Sequence, residues 1–134
     1  MPITRAINPW KWQDAYGFSQ ALEVRNPVRW LVCSGQTSVD ENGKPLHAGD
    51  MAAQLRQAFD NLEAVLKGAG ITLADVVRLN YYTTDVPAYL QASGEVARRF
   101  ATGAPPPAGT LLGVAALFHP DILIELEATA CVPA

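Results

Sequence analysis

Two carboxylates at alternate positions of one apolar segment are the side chains of this sequence best placed to do chemistry. Glu125 and Glu127 stand in "DILIELEATACV", Asp121 to Val132, and in an extended strand residues two apart project from the same face. A carboxylate held among apolar neighbours binds its proton more tightly and can take or give it nearer neutral pH. Leu123 and Cys131 share the acids' face, whereas Ile122, Ile124, Leu126, Ala128, Ala130 and Val132 form a continuous apolar row on the other. That pattern implies a sheet covered on both sides, with the acids opening into a pocket or a subunit seam. Two solvated carboxylates at a sheet edge would give the same pattern.

The other reactive residues are few. Cys33 and Cys131 are the two cysteines, each inside a predicted strand, which suits reduced, buried thiols better than a disulfide framework. Cys33 precedes a Ser-Gly turn that would line a pocket, which makes it a candidate contact residue, although packing is its preferred role. His47 and His119 lie far apart, and neither has Cys or acidic companions at metal-ligand spacing. No metal site is expected.

A chain of 134 residues is long enough to bury its own core as one domain, Met1 to Ala134. With 49% hydrophobic and only 17% charged residues, it has few charges to cover its exterior, so part of its surface is expected to meet another subunit. A net charge of −3 argues against a broad nucleic-acid surface, which needs many phosphate-neutralising Lys and Arg side chains. The N-terminus lacks the succession of a signal peptide, and no apolar run approaches the ~20 residues of a membrane span. A cytoplasmic protein with no membrane partner is the expectation.

The elements that would carry these residues read as ββ, helix, β, helix, ββ. Phe18 to Val24 and Val28 to Ser34 have strand character, with Asn26-Pro27 as the turn between them. Asn42-Gly43 marks a hairpin or a loop tip. From Asp50, a plausible N-cap, to about Lys67, the residues Met51, Leu55, Ala58, Phe59, Leu62, Val65 and Leu66 recur at helical spacing, and Gly68 to Gly70 ends the run. "VVRLNYYTTD", Val76 to Asp85, is β-branched and aromatic, with Val77, Leu79, Tyr81 and Thr83 on one face and Arg78, Asn80, Tyr82 and Thr84 on the other. Pro87 opens a second helix with Tyr89, Ala92, Val96 and Phe100 as its stripe, and the last strands span about Ala108 to Leu117 and Asp121 to Val132.

In order and length, nearly the whole chain resembles the YjgF/RidA, or reactive intermediate deaminase, family. The resemblance rests on "VCSGQTSVDENG", "QAFDNLEAVLKGAG", "VVRLNYYTTD" and "PPPAGTLLGVAAL" followed by "IELE". It implies an α+β, chorismate-mutase-like subunit with a six-stranded mixed sheet and two helices packed on one face. It also implies a homotrimer whose sheets form a central barrel, with small metabolites bound in clefts between subunits. The deaminase members hydrolyse enamines and 2-imino acids to keto acids and ammonia without a cofactor.

Such chemistry asks for a cation on the substrate carboxylate, a polar group that orients water and a shielded cleft. The family arginine directly follows a Pro-Ala step. Here that step is Pro107-Ala108 and the next residue is Gly109, which removes the cation and should open the pocket. The phenol of the deaminases aligns with Phe18, with Tyr16 nearby as a partial replacement. The cleft asparagine aligns with Ser93, and the cysteine two residues past the arginine becomes Leu111. Glu125 is the one acid of the constellation retained, and Glu127 matches a second, structural acid. Arg78, Arg98 and Arg99 are alternative sources of charge, or else solvated surface residues.

The resemblance implies two readings. In one, Glu125 activates water or moves a proton on an imine, enamine or related carbonyl compound. Phe18 with Trp30 or Leu111 then forms apolar walls, and backbone near Thr110 orients the electrophile. In the other, a non-catalytic trimer binds or senses a metabolite. A ribonuclease role, also described in the family, finds no His pair or basic cluster here.

Overall fold

The computed structural model describes residues 4–26, 29–101 and 103–132. In chain order these form β1 (Thr4–Ile7), a 3-10 turn (Trp12–Tyr16), β2 (Ala21–Val24), β3 (Arg29–Val32), β4 (Gln36–Thr37), α1 (Met51–Gly68), a second 3-10 turn (Leu73–Asp75), β5 (Val76–Thr83), α2 (Val86–Ala92), α3 (Gly94–Arg99), β6 (Leu111–Gly113) and β7 (Ile124–Val132). The chain is a mixed α+β structure, but its described strands do not make one six-stranded sheet. β1 pairs only with β2, while β3, β7, β5 and β6 lie side by side with β4 also on β7.

The expected hairpin between the first two strand segments is replaced by two separate pairings. β2 takes β1 as its antiparallel partner, Thr4 opposite Val24 and Ile7 opposite Ala21, and β3 runs instead along the end of β7. The four residues of β1 alternate only between half-buried and exposed, so their hydrophobic pattern gives too weak a strand signal to have been read. Asn26 sits at φ 49; Pro27, Val28 and the turn expected there lie outside the described residues.

α1 forms where the apolar spacing places it. The Asp50 carboxylate accepts from the Ala53 N–H at 3.0 Å, satisfying one of the donors that a helix start leaves free. Leu55, Ala58, Phe59, Leu62 and Leu66 are completely buried, whereas Val65, expected in the same stripe, is 39% exposed. The helix ends as Ile71 N–H turns back to the Leu66 carbonyl at 3.1 Å. The stripe lies on the inner row of β7, where Ile124, Leu126, Ala128 and Ala130 are at most 1% exposed.

The second helix is two short ones. Asp85 caps α2 through the Ala88 N–H, with Pro87 in the first turn. At Ser93 the hydroxyl donates to the Leu90 carbonyl at 2.8 Å, and Gly94, a poor helix former, follows. The axis breaks there, yet Tyr89, Val96 and Phe100 still reach the core. In β5 a register shift between Val76 and Arg78 turns both Val76 and Val77 inward; from Arg78 on, the strand alternates as expected.

Gln54 joins these layers. It is fully buried in α1, its amide nitrogen donates to the carbonyls of His47 at 3.1 Å and Asp121 at 2.7 Å, and its carbonyl accepts from the Leu123 N–H at 2.8 Å. Gln54→Leu would take the side-chain partner from the Asp121 carbonyl and the half-buried Leu123 N–H, while the His47 carbonyl keeps the Asp50 N–H at 3.1 Å; a lost partner costs about 1–3 kcal/mol where water does not replace it. The expected loss of stability is about 1–3 kcal/mol, seen as a lowered urea midpoint with an unchanged slope.

Candidate functional site

Tyr81 and Tyr82, adjacent on β5, look into different worlds. Tyr81 belongs to the buried face with Leu79 and Thr83, while Tyr82 shares the outer face with Asn80 and Arg78. Each face carries its own group of chemistry-bearing residues.

On the inner side, at the β6 edge, lies a cavity of about 350 Å³. Trp12, Tyr16 and Phe18 come from the N-terminal segment, Tyr81 from β5, and Tyr89 and Leu90 from α2; Gly109, Thr110 and Leu111 close the edge. Two contacts hold the N-terminal wall down. Ser19 donates its amide to the Pro107 carbonyl at 3.0 Å and its hydroxyl to the Pro106 carbonyl, so the proline run is the seat of the segment. Gly17, at φ 73, packs so closely over α3 that a Cβ there would meet the Ala97 backbone at 3.0 Å. The aromatic walls stack edgewise, Trp12 to Phe18 at 5.6 Å between ring centroids, and Tyr81 meets Tyr89 at 5.5 Å.

Burial raises the phenol pKa of both inward tyrosines, far above the ordinary range for Tyr81, where the neighbouring Tyr89 adds to the effect. Both are neutral hydrogen-bond donors at any physiological pH. The Tyr81 hydroxyl is the one buried side-chain polar atom among the described residues with no hydrogen-bond partner.

Gly109 does not open this cavity as its lack of a side chain suggests. A Cβ built at 109 would overlap the Leu79 carbonyl oxygen, so the backbone of β5 occupies the space. The edge strand is drawn in by the bonds from Leu79 N–H to the Ala108 carbonyl at 2.8 Å and from Tyr81 N–H to the Thr110 carbonyl at 2.9 Å. Between them the Thr110 N–H finds the Asn80 side-chain oxygen at 3.2 Å.

The outer face is polar. Tyr82 donates to Glu127 at 2.7 Å, which holds the phenol proton in place and raises its pKa. Asn80 also reaches Glu127, at 3.4 Å, and Arg78 donates to the Thr110 hydroxyl at 3.1 Å. Glu125 lies opposite Tyr82 in the β5–β7 register, and its carboxylate rests over Gly35, where a Cβ would displace it. Burial first, and the Glu127 charge second, raise the Glu125 pKa.

Of the residues expected at a site, the structure therefore brings Phe18, Gly109, Thr110 and Leu111 together at one cavity. Glu125 is on the opposite face of the sheet. Trp30 lines a second hollow, of about 240 Å³, with Cys131 beneath it, and Cys33 is packed in the core, its thiol pKa raised by burial. Ser93 marks the helix break without lining either hollow. Arg98 is paired with Glu95, and Arg99 with Asp60 and Glu63. Trp12, Tyr81, Tyr89 and Leu90 were not anticipated; the available signal was two tyrosines at inward positions of neighbouring elements.

These features define an α+β fold with a small-molecule-sized cavity at a sheet edge, and the chain has relatives in sequence and in fold. The family described as Endoribonuclease L-PSP matches residues 12–132. A solved structure of YyfB, a Rid-family protein of Yersinia pestis, superposes with a TM-score of 0.88 at 41% identity over 98% of this chain and 100% of that one. A RutC family protein of Pyrococcus horikoshii is 33% identical over 84% of this chain and 85% of its own. The 2-iminobutanoate/2-iminopropanoate deaminase of Escherichia coli is 32% identical over 84% and 85%. The chain belongs to the YjgF/RidA family.

Two outcomes follow from the geometry. Gly109→Ala should cost about 1–3 kcal/mol in chemical denaturation, because rigid backbone opposes the new methyl. For Glu125 the folded pKa lies above the unfolded one, so the folded state holds its proton more tightly and stability falls as pH rises through that interval. Glu125→Gln should match wild type below the ordinary glutamate range near 4.5 and exceed it in urea midpoint above the raised pKa.

Proposed function

We propose that this chain is a cofactor-independent hydrolase of an imine, enamine or related carbonyl compound other than the usual 2-imino acids, working as a homotrimer with metabolite clefts between subunits. The observation that carries this reading is the cavity itself. Phe18, Gly109 and Leu111, which align with family cleft positions, converge on it, and no guanidinium lines it.

The reaction such a cleft would serve is short. Water adds to the C=N carbon, and a carboxylate passes the water's first proton to the nitrogen, giving a carbinolamine; the carbinol hydroxyl then gives up its proton by way of the same group, which delivers it to the amine as the C–N bond breaks, ammonia leaves and the carbonyl forms. Glu125, with its raised proton affinity, suits both steps. In a single chain the sheet separates it from the cavity, so the reading requires a cleft completed by a neighbouring copy. The outer face supports this, exposing Val32 to 78% and Trp30 to 55%, apolar surface that a second subunit would cover.

The separation of Glu125 from the cavity is also the observation that favours a second reading, a trimer that binds or senses a metabolite without transforming it. The ribonuclease sense of the family description gains nothing from this surface, where Arg56, Arg98 and Arg99 are all engaged with carboxylates.

Ammonia release should decide between them. Freshly generated 2-iminobutyrate and the uncharged imine of acetophenone would be compared with and without protein, together with light-scattering mass determination. The expected result is a trimer that accelerates hydrolysis of the uncharged imine and loses that activity in Glu125→Gln. Full activity in the variant would remove Glu125 from the mechanism, and no acceleration of either imine would leave the binding reading.

A further inference from the structure

We infer that Glu127 is a positioning residue for Glu125: Tyr82 and Asn80 hold it as a stationary anion on the face the two acids share, which leaves Glu125 as the carboxyl group able to carry a proton. This rests on the proposed function in taking Glu125 as the group that moves the proton. It gives the second acid of the strand a part in that step.

Three observations carry it. First, the donors on this face are divided unequally. Tyr82 stands opposite Glu125 in the β5–β7 register, yet its hydroxyl passes Glu125 by and donates to Glu127 at 2.7 Å. Asn80, opposite Glu127, adds its amide nitrogen at 3.4 Å. A phenol-to-carboxylate bond of this length is charge-assisted and fixes where the anion sits. Glu125 is half-buried and accepts no hydrogen bond from a described residue; its carboxylate lies over Gly35 instead.

Second, Asn80 cannot turn its amide round. Its oxygen accepts from the Thr110 N–H at 3.2 Å, so its nitrogen is the end that reaches the acid. A flipped amide would set oxygen against the carboxylate and nitrogen against an N–H. The hold on Glu127 is thus tied to the cavity edge, where Thr110 is part of the lining.

Third, no cation answers Glu125 on this face. Thr37 stands opposite it on β4, and Tyr82 on β5 is a phenol that keeps its proton. Arg78, further along β5, is engaged with the Thr110 hydroxyl. Among the described residues, the charge that Glu125 meets is that of Glu127, and residues two apart in a strand lie about 7 Å from one another. A like charge at that range favours the protonated form, in the same direction as burial.

The test reads proton binding rather than turnover, which separates its failure from that of the hydrolase reading. Side-chain carboxyl carbon resonances of the full chain would be followed through a pH titration at low salt, because Glu127 is exposed and salt screens its charge. Glu127→Gln keeps an acceptor for Tyr82 and Asn80 and removes only the charge. In this variant the Glu125 midpoint should fall toward the ordinary glutamate range. Sodium chloride at about 1 M should lower the wild-type midpoint by more than the variant's. Tyr82→Phe should release the Glu127 side chain, read as rotamer-averaged side-chain couplings.

A merely structural Glu127 would leave the Glu125 midpoint alike in wild type and Glu127→Gln, which would overturn the proposal. Glu127 couplings unchanged in Tyr82→Phe would overturn it too. Should the variants fold poorly, the wild-type protein still decides: the inference fails if salt lowers the Glu125 midpoint no further than those of the chain's exposed carboxylates. A midpoint that falls in Glu127→Gln without any imine hydrolysis by the wild type would uphold the inference and refute the hydrolase. Hydrolysis of the uncharged imine by a protein whose Glu125 midpoint ignores the charge at 127 would do the reverse.

Discussion

The three hydrogen bonds of Gln54 govern more than their own corner of the molecule. They tie α1 to the Asp121 carbonyl and the Leu123 amide, immediately before β7 begins, and so fix which residue of that strand first meets the sheet. In a strand, a slip of one residue exchanges the two faces completely. With Leu123 anchored, Ile124 and Leu126 must turn toward Phe59 and Leu62 of the core, and Glu125 and Glu127 must turn away. β5 is then bound to the same parity through its pairing of Tyr82 with Glu125 and Tyr81 with Leu126. A polar side chain buried in a helix thus helps set which of two adjacent tyrosines, on the strand next to β7, faces the core and which faces the acids.

That parity was legible because period-two alternation is a local property. The two rows of β7 and the inward set of β5 could be written down from residue order alone, as could α1 with its Asp50 cap. The break at Ser93 was less legible, since the stripe of Tyr89, Val96 and Phe100 continues across it and only the Ser-Gly pair hints at it. β1 was missed for the opposite reason. Its side chains alternate between half-buried and exposed, and its pairing partner is decided by tertiary contacts rather than by hydrophobic pattern.

At the site, the residues with a motif around them, Phe18, Gly109, Thr110 and Leu111, were legible, but what Gly109 does was not. From the sequence a glycine in place of an arginine reads as extra room. In the structure its Cβ direction, two residues ahead of β6, is filled by the Leu79 carbonyl, and Asn80 takes over a bond to the Thr110 amide. The loss of charge and the local geometry are one event: at 109 the Cβ direction runs into the Leu79 carbonyl, so no side chain fits there, while Ala108 and Thr110 on either side carry theirs. Gly35 shows the contrast, because there the atom in the way is the mobile end of Glu125, which can swing aside.

This bears on how an acid and a cavity on opposite faces of one sheet can belong to one protein's function. A carboxylate gains proton affinity by losing water, and the outer face supplies that through burial and the Glu127 charge. An uncharged ligand gains affinity by losing water too, and the inner face supplies that through aromatic walls. Placed together within a single chain, a charged acid would erode the apolar character of the cavity's lining. Divided by the sheet, each environment is kept intact, and the two can meet only where one subunit's edge lies against another's outer face. The separation makes any activity shared between Glu125 and the cavity conditional on an assembly of chains, whereas the aromatic cavity itself is built within the single chain.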